Sequence, residues 1–473
     1  MDRERLYVDG SWVPSQGGFT SVVEASTEKE LGHAAVANEA DIDLAVAAAQ
    51  RALPGWQALA AVERSALLVA FAKALKSRAV DTATLVSREN GMPISLSVPA
   101  EGHVPAYIVR YYADLVAQRA TVERRPGVFG GDSLVSREPV GVVAAVTPWN
   151  YPQALTAMKL GPALAAGCTV VLKSAPETAL DAYVFADAAE EAGLPAGVLN
   201  VVPGGREAGA HLVSHSGIDK VAFTGSTAAG RSIAETCGRL LRPVTLELGG
   251  KSAAVLLDDA DLDVFLDQLL PVCLPNNGQT CHASTRVLAP RARYDEVVDA
   301  VTAAVSSLVV GDPLDPATQI GPVASSAHRE RVLALIAAGA GRLTTGGGVP
   351  DREGWFVTPT VFADVEASDR LFQEEVFGPV MTVTPYDDEE HAVALANDSD
   401  YGLAGTVWTA DQDRGIAFAG RVQSGTLGIN HYLLDVVAPF GGVKASGLGR
   451  EMGPEGLMAY EHTKTVYLRK VHA

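Results

Sequence analysis

Cys281 ends a polar, glycine-containing segment, NNGQTC, at positions 276–281, and its type and setting suit it to act as a nucleophile. A cysteine attacks a carbonyl only as the thiolate, so a catalytic cysteine needs a polar, partly open setting that lowers its pKa. A single cysteine is more often structural than catalytic. The interpretation of Cys281 therefore depends on the partners that the rest of the sequence supplies.

Two other polar residues are candidates for these partners. Glu247 lies in TLELGGK, where a predicted strand ends and two glycines leave room for its carboxylate to point into a cleft. Asn150 lies in TPWNYP, after a Pro-Trp turn that suits its amide to donate a hydrogen bond to a developing oxyanion. Each residue alone is equally compatible with a role as a cap, a turn residue or a core residue. Together with Cys281 they would provide a nucleophile, a base and an oxyanion donor.

Alternating strands and helices must position these residues. Short apolar runs such as VGVVAAVTPWN, CTVVLKSAPET and KVAFTGST are separated by helical stretches, and a second series of the same kind follows Gly250. This alternation is typical of parallel sheets buried on both faces. A chain of 473 residues also exceeds the roughly 250–300 residues of a single core. The sequence therefore predicts two doubly wound α/β domains.

The segment before this series is predicted to be helical. From Asp41 to Gly91, apolar residues recur every three or four positions. Pro54 and Gly55 interrupt this pattern and are expected to end one helix before the next begins.

Two regions read as exposed β structure. Residues 121–141 have the pattern of a hairpin with charged faces, and residues 463–469 form an alternating strand near the C-terminus. Exposed strand edges are usually paired or covered. We therefore interpret both regions as assembly elements, and the alternative is that they cover edges within their own subunit.

Composition excludes several classes of function. The formal net charge of −19 disfavours binding to nucleic acid or to anionic membranes. The sequence contains no apolar run as long as a membrane span and no signal peptide, so we expect a cytoplasmic protein. Its four cysteines form no Cys-x-x-Cys pair, and we find no clustered His/carboxylate spacing that suggests a metal site.

Six segments resemble the signature motifs of the NAD(P)-dependent aldehyde dehydrogenase superfamily, in the family's order. They are PWN at 148–150, FTGST at 223–227, LELGGK at 246–251, GQTC at 278–281, EEVFGPV at 374–380 and PFGGVKASGLGRE at 439–451. The resemblance implies that Cys281 is the nucleophile, that Glu247 is the general base and that Asn150 holds the oxyanion. The implied reaction is oxidation of an aldehyde to the acid through a thiohemiacetal, hydride transfer and thioester hydrolysis.

The resemblance also implies a domain organisation. A Rossmann-like cofactor domain would comprise 1–119 and 141–247, and a catalytic domain would comprise 248–455. A small β oligomerisation element would comprise 120–140 and 456–473. In this family, such elements build homodimers or homotetramers.

The cofactor contacts implied by the resemblance are Trp149, Lys173, Gly225, Ser226, Gly230, Leu248, Glu375 and Phe377. One departure concerns the choice between NAD and NADP. Many NAD-preferring members have Lys-Pro-x-Glu here, whereas this chain has Pro176 in the place of that glutamate and Glu177 one position later. Without this acid, the site no longer repels the 2′-phosphate of NADP. However, this segment has no additional arginine that could bind that phosphate. We therefore favour NAD, with NADP as the alternative.

The positions that match the family's aldehyde tunnel predict the substrate class. They are Tyr151, Leu155, Met158, Thr280, His282 and residues 433–440, which include Phe440. Leu155 and Met158 are also compatible with a helix core. No lysine or arginine lies between Asn430 and Phe440, so an uncharged aldehyde is favoured.

Two rival interpretations remain open at this stage. One is an acylating dehydrogenase that passes the thioester to coenzyme A, although Glu247 would then have no water to activate. The other is a binding or structural protein on the same fold, against which the presence of all three candidate catalytic residues argues.

Overall fold

Two mainly parallel sheets dominate the computed structural model, which describes residues 2–469. Met1 and the last four residues of the predicted segment 456–473 lie outside the described residues. Within residues 2–469, eight strands form the first sheet, in the spatial order Gly447–Leu448, Val244–Glu247, Lys220–Thr224, Val142–Val146, Thr169–Lys173, Leu199–Val201, Arg5–Val8 and Ser11–Pro14. The five strands from Val244–Glu247 to Leu199–Val201 run parallel, and the pairings at both edges are antiparallel.

The second large sheet begins where the chain leaves the first. Residues 248–252 connect strand Val244–Glu247 of the first sheet to strand Ala253–Leu256 of the second. Of the described residues, seven strands form this sheet, in the order Arg342–Thr345, Thr360–Ala363, Val380–Tyr386, Arg286–Pro290, Ala253–Leu256, Gly405–Trp408 and Gly428–Ile429. All neighbours pair in parallel except the first two. The LELGGK motif is therefore the crossing between the two sheets.

Helices cover both faces of the large sheets. The helices before residue 240 are Glu39–Ala58, Ala61–Ser77, Ala79–Asn90, Ile94–Ser97, Val104–Gln118, Pro152–Ala166, Tyr183–Ala192, Arg206–Ser214 and Thr227–Arg239, with a π-helical turn at Val98–His103. The later helices are Leu262–Cys273, Tyr294–Ser306, Ser326–Ala338, Arg370–Gln373, Glu389–Asn397, Gln412–Ala419 and Gly453–Met458. Among residues 2–469, every helix is too short or too polar to cross a lipid bilayer.

The burial pattern explains why the strands are apolar throughout. Val143 and Ala145 pack into one core cluster, whereas Val142 and Ala144, which alternate with them, pack into another. Successive strand residues point to opposite faces, so a strand with helices on both sides buries every side chain. The second sheet shows the same alternation. The predicted α/β fold class is confirmed.

The predicted helix break at Pro54 is wrong. Helix Glu39–Ala58 continues through Pro54 and Gly55, and the chain leaves the helix at Leu59. Proline lacks the N–H that would bond the carbonyl four residues earlier. That carbonyl belongs to the exposed Gln50, where water can replace the missing donor.

A small third sheet joins the two exposed β regions. The predicted hairpin is confirmed as strands Val122–Pro126 and Asp132–Pro139, and strand Glu461–Leu468 pairs along the whole of Asp132–Pro139. The C-terminal strand thus covers one edge of the hairpin within the same chain. Both outer strands of this sheet remain largely exposed. Two shorter sheets contain Asp2–Arg3, Phe19–Val23 and Glu30–Ala35, and Tyr401–Gly402 with Val443–Lys444.

Candidate active site

A cleft between the two large sheets brings together the three candidate catalytic segments. The cavity at its base measures about 280 Å³. Its lining residues are Pro148, Trp149, Asn150, Thr224, Gly225, Ser226, Leu248, Gly249, Cys281, His328, Arg331, Glu375 and Phe377. Strands Val142–Val146, Lys220–Thr224 and Val244–Glu247 end next to this cleft, as expected for ligand sites at the carboxyl ends of parallel strands.

The polar residues before Cys281 hold the nucleophile loop rather than facing solvent. Asn277 is fully buried, and its Nδ2 donates to the carbonyl oxygens of Gly91 and Pro322. The Gln279 Oε1 accepts a hydrogen bond from the backbone N–H of Ala324. Asn277 also adopts a left-handed backbone conformation, which asparagine tolerates better than most residues. The polar sequence therefore fixes the loop that presents Cys281.

The structure raises the pKa of the Cys281 thiol, contrary to the lowering that the sequence analysis expects of a catalytic cysteine. Desolvation raises the pKa of this thiol, and the carboxyl groups of Glu375 and Glu247 raise it further. Desolvation is the largest cause, and the acidic groups that the sheet crossing and residue 375 place near the sulfur add to it. A positive charge bound in the cleft would act in the opposite direction.

Asn150 is held beside the nucleophile loop by side-chain amides. The Asn150 Nδ2 donates to the carbonyl oxygen of Gln279 at 2.9 Å, which leaves its second N–H available to a substrate oxygen. Asn90 Nδ2 donates to the carbonyl oxygens of both Trp149 and Asn150, and Asn276 Nδ2 donates to that of Asn150. The sequence analysis missed Asn90, because nothing in its local pattern connects it with a segment 60 residues away.

Glu247 is buried at the end of its predicted strand with a carboxyl group that is free to act. Neither of its oxygens has a hydrogen-bond partner among the described residues. Burial raises the pKa of Glu247 well above its usual value, and the nearby Glu451 raises it further, while Lys159 acts in the opposite direction. Lys159 Nζ lies 2.8 Å from Glu451 Oε1 and 2.5 Å from Thr224 Oγ1. This buried pair was also missed by the sequence analysis.

Gly441 makes room for the Glu247 carboxyl group. A Cβ atom added to Gly441 would lie 2.5 Å from Glu247 Oε1, and the backbone φ of Gly441 is +150°. Both the space and the conformation therefore exclude a side chain at this position. The close approach of the Glu247 carboxyl group explains why the first glycine of the PFGG motif, Gly441, has no side chain.

We expect Gly441→Ala to lower kcat by about 100-fold, since the methyl group displaces the unpaired Glu247 carboxyl group beside the nucleophile. The measurement is steady-state aldehyde oxidation, with Gly348→Ala as the matched control because a Cβ atom at Gly348 meets no atom within 4 Å. Equal activity of Gly441→Ala and Gly348→Ala would contradict the role of Gly441 in making room for the Glu247 carboxyl group.

The predicted cofactor residues lie along the cleft with chemistry that fits a dinucleotide. Ser226 caps helix Thr227–Arg239 by accepting from the Ala229 N–H, so the positive end of this helix faces the cleft and is suited to pyrophosphate. Glu375 is half-buried, with Oε1 accepting from the Gly250 N–H, and desolvation raises its pKa to about 7. Gly225, Leu248 and Phe377 line the same cavity, and Gly230 packs against Leu248.

Lys173 lies at the other end of the predicted cofactor site. It ends strand Thr169–Lys173 and packs beside Gly209 in helix Arg206–Ser214. Its side chain is buried, and among residues 2–469 its Nζ has no hydrogen-bond or ion-pair partner. Burial lowers the pKa of Lys173 to about 8. An unpartnered buried cation of this kind fits a ligand with several hydroxyl or phosphate oxygens.

The predicted substrate residues divide into a polar pair and an aromatic group. Thr280 Oγ1 donates to the carbonyl oxygen of Pro275, so the hydroxyl of Tyr151 is the donor in their 2.9 Å contact. The His282 ring stacks on Tyr432 at 5.0 Å and meets Phe440 edge-on. Burial lowers the pKa of His282 to about 4, which keeps this ring neutral.

A second cavity adjoins the aromatic group. It measures about 610 Å³ and is lined by Tyr432, Phe440, Leu433 and Leu434 together with other residues between 426 and 440. The sequence analysis did not name Tyr432. Leu155 and Met158 lie instead in the hydrophobic core cluster against which Tyr151 and Cys281 pack.

One cluster of potential metal ligands lies away from this site, contrary to the sequence analysis. Asp43, His211 and His215 bring ligand atoms within 4.8 Å of one another. His211 and His215 come from the helix Arg206–Ser214 and its C-terminal end, and Asp43 comes from a helix more than 160 residues earlier. The His215 Nδ1 accepts from the Gly217 N–H, so its proton is on Nε2 and faces Asp43. The cluster is therefore a hydrogen-bonded group in this structure.

Comparison with known proteins identifies the family. A family model described as the aldehyde dehydrogenase family matches residues 12–466. The chain belongs to the aldehyde dehydrogenase family. This membership confirms the resemblance read from the six motifs, and it makes the protein an oxidoreductase that converts an aldehyde to a carboxylic acid with NAD(P).

Several aldehyde dehydrogenases are similar to this one over their full length. Geranial dehydrogenase from Castellaniella defragrans is 52% identical, with 99% of each chain covered. An aldehyde dehydrogenase from Mycobacterium tuberculosis, solved with NAD+, is 44% identical with a TM-score of 0.97, and 100% of this chain and 99% of that chain are covered. A mutant of aldehyde dehydrogenase C from Pseudomonas syringae, solved with NAD+ and octanal, is 37% identical with a TM-score of 0.94. The match covers 98% of this chain and 96% of that chain.

Proposed function

We propose that this aldehyde dehydrogenase oxidises uncharged, mainly apolar aldehydes with NAD, through a thioester on Cys281 that Glu247 helps to hydrolyse. The observation that carries the proposal is the proximity of three groups. The Cys281 thiol and the Asn150 amide line one cleft, and the unpartnered carboxyl group of Glu247 lies close enough to Cys281 to raise its pKa. Their roles follow from the chemistry that each can perform there.

The reaction begins at Cys281. The thiol releases its proton to solvent, the thiolate sulfur attacks the aldehyde carbon, and the resulting oxyanion accepts hydrogen bonds from Asn150 Nδ2 and the backbone N–H of Cys281. One such donor typically contributes about 3–4 kcal/mol to the transition state. NAD held at this cleft would supply the acceptor for the hydride that leaves the former aldehyde carbon. Glu247 then removes a proton from the water that attacks the thioester, which releases the acid and restores Cys281.

We propose that NAD is held by residues that line the cleft together with Lys173. Glu375 would bind the nicotinamide ribose hydroxyls, and Lys173 the adenosine ribose, while Gly225 and Ser226 would face the pyrophosphate. Relatives of known structure were solved with NAD+. Pro176 removes the acid that opposes a 2′-phosphate, so NADP is the alternative acceptor. The domain ranges given above are part of this proposal.

The aromatic side chains at the second cavity support the substrate class. Tyr432 and Phe440 line this cavity, and the neutral His282 ring stacks on Tyr432. Asp435 also lines the cavity, and its described lining contains no lysine or arginine, so a carboxylate-bearing aldehyde would meet no counter-charge there. Geranial and octanal, named for two similar proteins, are both apolar aldehydes.

An aldehyde panel tests the proposed function. We expect kcat/KM for octanal and geranial to exceed that for betaine aldehyde and for a carboxylate-bearing aldehyde by about tenfold or more, as desolvation of one charge requires. NADH formation and free acid are measured, with and without coenzyme A. A preference for a charged aldehyde would contradict the substrate class, and formation of the coenzyme A thioester would contradict hydrolysis by Glu247.

We also propose that the protein is a homodimer or homotetramer. The small third sheet has an exposed outer strand on each side, and Val122, Val466 and Tyr467 are apolar or aromatic residues exposed on it. An exposed sheet edge of this kind is a template for pairing with a second copy.

Deletion of residues 461–473 should therefore weaken the assembly, and light scattering at micromolar concentration measures it. The matched control is deletion of residues 470–473 alone, which leaves strand Glu461–Leu468 in place and should leave the mass unchanged. A mass near one chain of 49.3 kDa for the full-length protein would contradict the proposal.

A further inference from the structure

The helix that follows Asn150 has no capping side chain of its own. Helix Pro152–Ala166 begins directly after Tyr151, whose side chain makes no capping hydrogen bond. Pro152 has no N–H, so the first N–H group that the helix leaves without a partner is that of Gln153. Because Gln153 is buried, this end of the helix needs an acceptor from elsewhere in the chain.

Glu101 supplies that acceptor. Its Oε2 accepts a hydrogen bond from the Gln153 N–H at 2.8 Å, and the N–H of Ala154 donates to the same carboxyl group. Glu101 comes from the π-helical turn Val98–His103, in which it and Gly102 are the buried residues. Such turns are rare, and this one directs a carboxyl group to a helix end that lies 52 positions later in the sequence.

The carboxyl group of Glu101 is unfavourable where it lies unless its oxygens are needed there. It is fully buried, and its Oε1 has no hydrogen-bond partner among residues 2–469. Burial raises the pKa of Glu101 well above its usual value, and the nearby Asp181 raises it further. An apolar side chain of the same size would avoid this desolvation, which indicates that the position requires an acceptor.

Other buried side chains hold the backbone around Asn150 from different directions. Gln153 Nε2 donates to Oδ1 of Asp181 at 2.7 Å and to the carbonyl oxygen of Asp181 at 2.9 Å. Asn90 and Asn276 donate to the carbonyl oxygen of Asn150, before the helix begins. The carbonyl group before the helix and the N–H groups at its start are therefore held by different residues.

We propose that Glu101 is a positioning residue for the oxyanion donor: by capping helix Pro152–Ala166 from outside, it sets the direction in which the Asn150 amide presents its second N–H to the substrate oxygen. This inference rests on the proposed role of Asn150. Glu101 is not among the residues that line the cleft, so it acts through the backbone rather than on the reacting atoms. A displacement of about 1 Å at this turn is enough to weaken a hydrogen bond to the oxyanion.

Three variants of Glu101 separate the reach of the side chain from its charge. Glu101→Gln keeps an oxygen at the same distance, and it resembles the protonated acid that the raised pKa favours. Glu101→Asp keeps the carboxyl group but withdraws it by one methylene group. Glu101→Met keeps the length without an acceptor, and Glu101→Asp carries the same comparison if Glu101→Met does not fold.

The matched control is Asp41→Leu. Asp41 is also a buried carboxyl group at the start of a helix, Glu39–Ala58, where it accepts from the Asn38 N–H. It is not among the residues that line the cleft. Its replacement therefore reports what the loss of a buried helix cap does to this protein in general.

The first measurement is hydrogen exchange at Gln153 and Ala154 in the protein without substrate or coenzyme. Glu101→Met and Glu101→Asp should speed this exchange about tenfold or more, because both N–H groups lose their acceptor. Glu101→Gln and Asp41→Leu should match the wild type. Unchanged exchange in Glu101→Met and Glu101→Asp would overturn the proposal, whatever their activity.

The second measurement is a double-mutant cycle on kcat/KM for the aldehyde, with Asn150→Ala as the other change. Glu101→Met should lower kcat/KM about tenfold or more in the wild-type background, and Glu101→Gln should lower it less than about threefold. In the Asn150→Ala background, Glu101→Met should lower it less than about threefold, because the group that it positions is gone.

Three outcomes of the cycle would overturn the inference. They are equal losses from Glu101→Met in both backgrounds, a loss in Glu101→Gln as large as in Glu101→Met, and an equal loss in Asp41→Leu. Wild-type kcat/KM in Asn150→Ala would instead contradict the proposed function.

Discussion

Cys281→Ala is expected to lower kcat for aldehyde oxidation by about four orders of magnitude or more, because no other group in the cleft can form the covalent adduct. Hydride departs readily only from the tetrahedral carbon that the sulfur creates. The variant should still bind NAD with the wild-type Kd, since the residues proposed to hold it are untouched. Rapid-quench analysis of acid formation and calorimetry of NAD binding make the two measurements.

Cys273→Ala is the matched control for this variant. Cys273 is a fully buried cysteine in helix Leu262–Cys273, eight positions before Cys281 in the sequence, and it packs in the core of the second sheet. Its replacement should cost about 1 kcal/mol of stability and leave kcat unchanged. Retained turnover in Cys281→Ala, or an equal loss in Cys273→Ala, would rule out the covalent mechanism at residue 281.

Glu247→Gln should separate the two halves of the reaction. Only thioester hydrolysis needs a water activated by a base, so steady-state kcat should fall by about 10²–10⁴, while the first turnover is nearly unchanged. Stopped-flow absorbance should show a burst of one NADH per active site followed by slow turnover. An equal fall of the burst rate and the steady-state rate would assign Glu247 a different role.

Glu451→Gln is the comparison for Glu247→Gln, and it should shift the pH dependence of kcat in a definite direction. The base acts only when deprotonated, so the raised pKa of Glu247 shifts the rising limb of the kcat profile above the usual carboxyl range. Glu451 is the second cause of that raised pKa, and its removal leaves the positive charge of Lys159 unopposed. The rising limb of the kcat profile should therefore move to lower pH in Glu451→Gln. This variant should show no burst of NADH. A shift to higher pH would contradict this electrostatic account.

The parts of the site that could be predicted from sequence are those whose local chemistry is unusual. A glutamate followed by two glycines at a strand end, and a cysteine after a polar loop, mark Glu247 and Cys281 as candidates, and the structure brings both to one cleft. The alternation of apolar strands and helices predicted the fold class for the same reason, because it is a local pattern with a specific packing solution.

Residues whose role depends on distant contacts gave no such signal. Glu101 looks like an ordinary acidic residue between two helices until helix Pro152–Ala166 is placed against it. The raised pKa of Cys281 is caused mainly by desolvation and further by Glu375, which is 94 positions away in the sequence and is brought near only by the fold. Pro54 shows the converse, because it is a strong local signal for a helix end and yet the helix continues through it. The carbonyl that loses its donor belongs to the exposed residue Gln50, where water can replace that donor.

The antiparallel pairing of strand Gly447–Leu448 with Val244–Glu247 has a consequence for how the protein is made. Glu247 pairs with Gly447, 200 residues later, and the space for its carboxyl group depends on Gly441. Contacts this distant in sequence form late, because a long loop must close first. During synthesis, strand Val244–Glu247 can pair early with Lys220–Thr224, but almost the entire chain must be made before its second partner, Gly447–Leu448, emerges. A ribosome stalled before residue 440 would hold a nascent chain whose cysteine is already present but whose base has no fixed position.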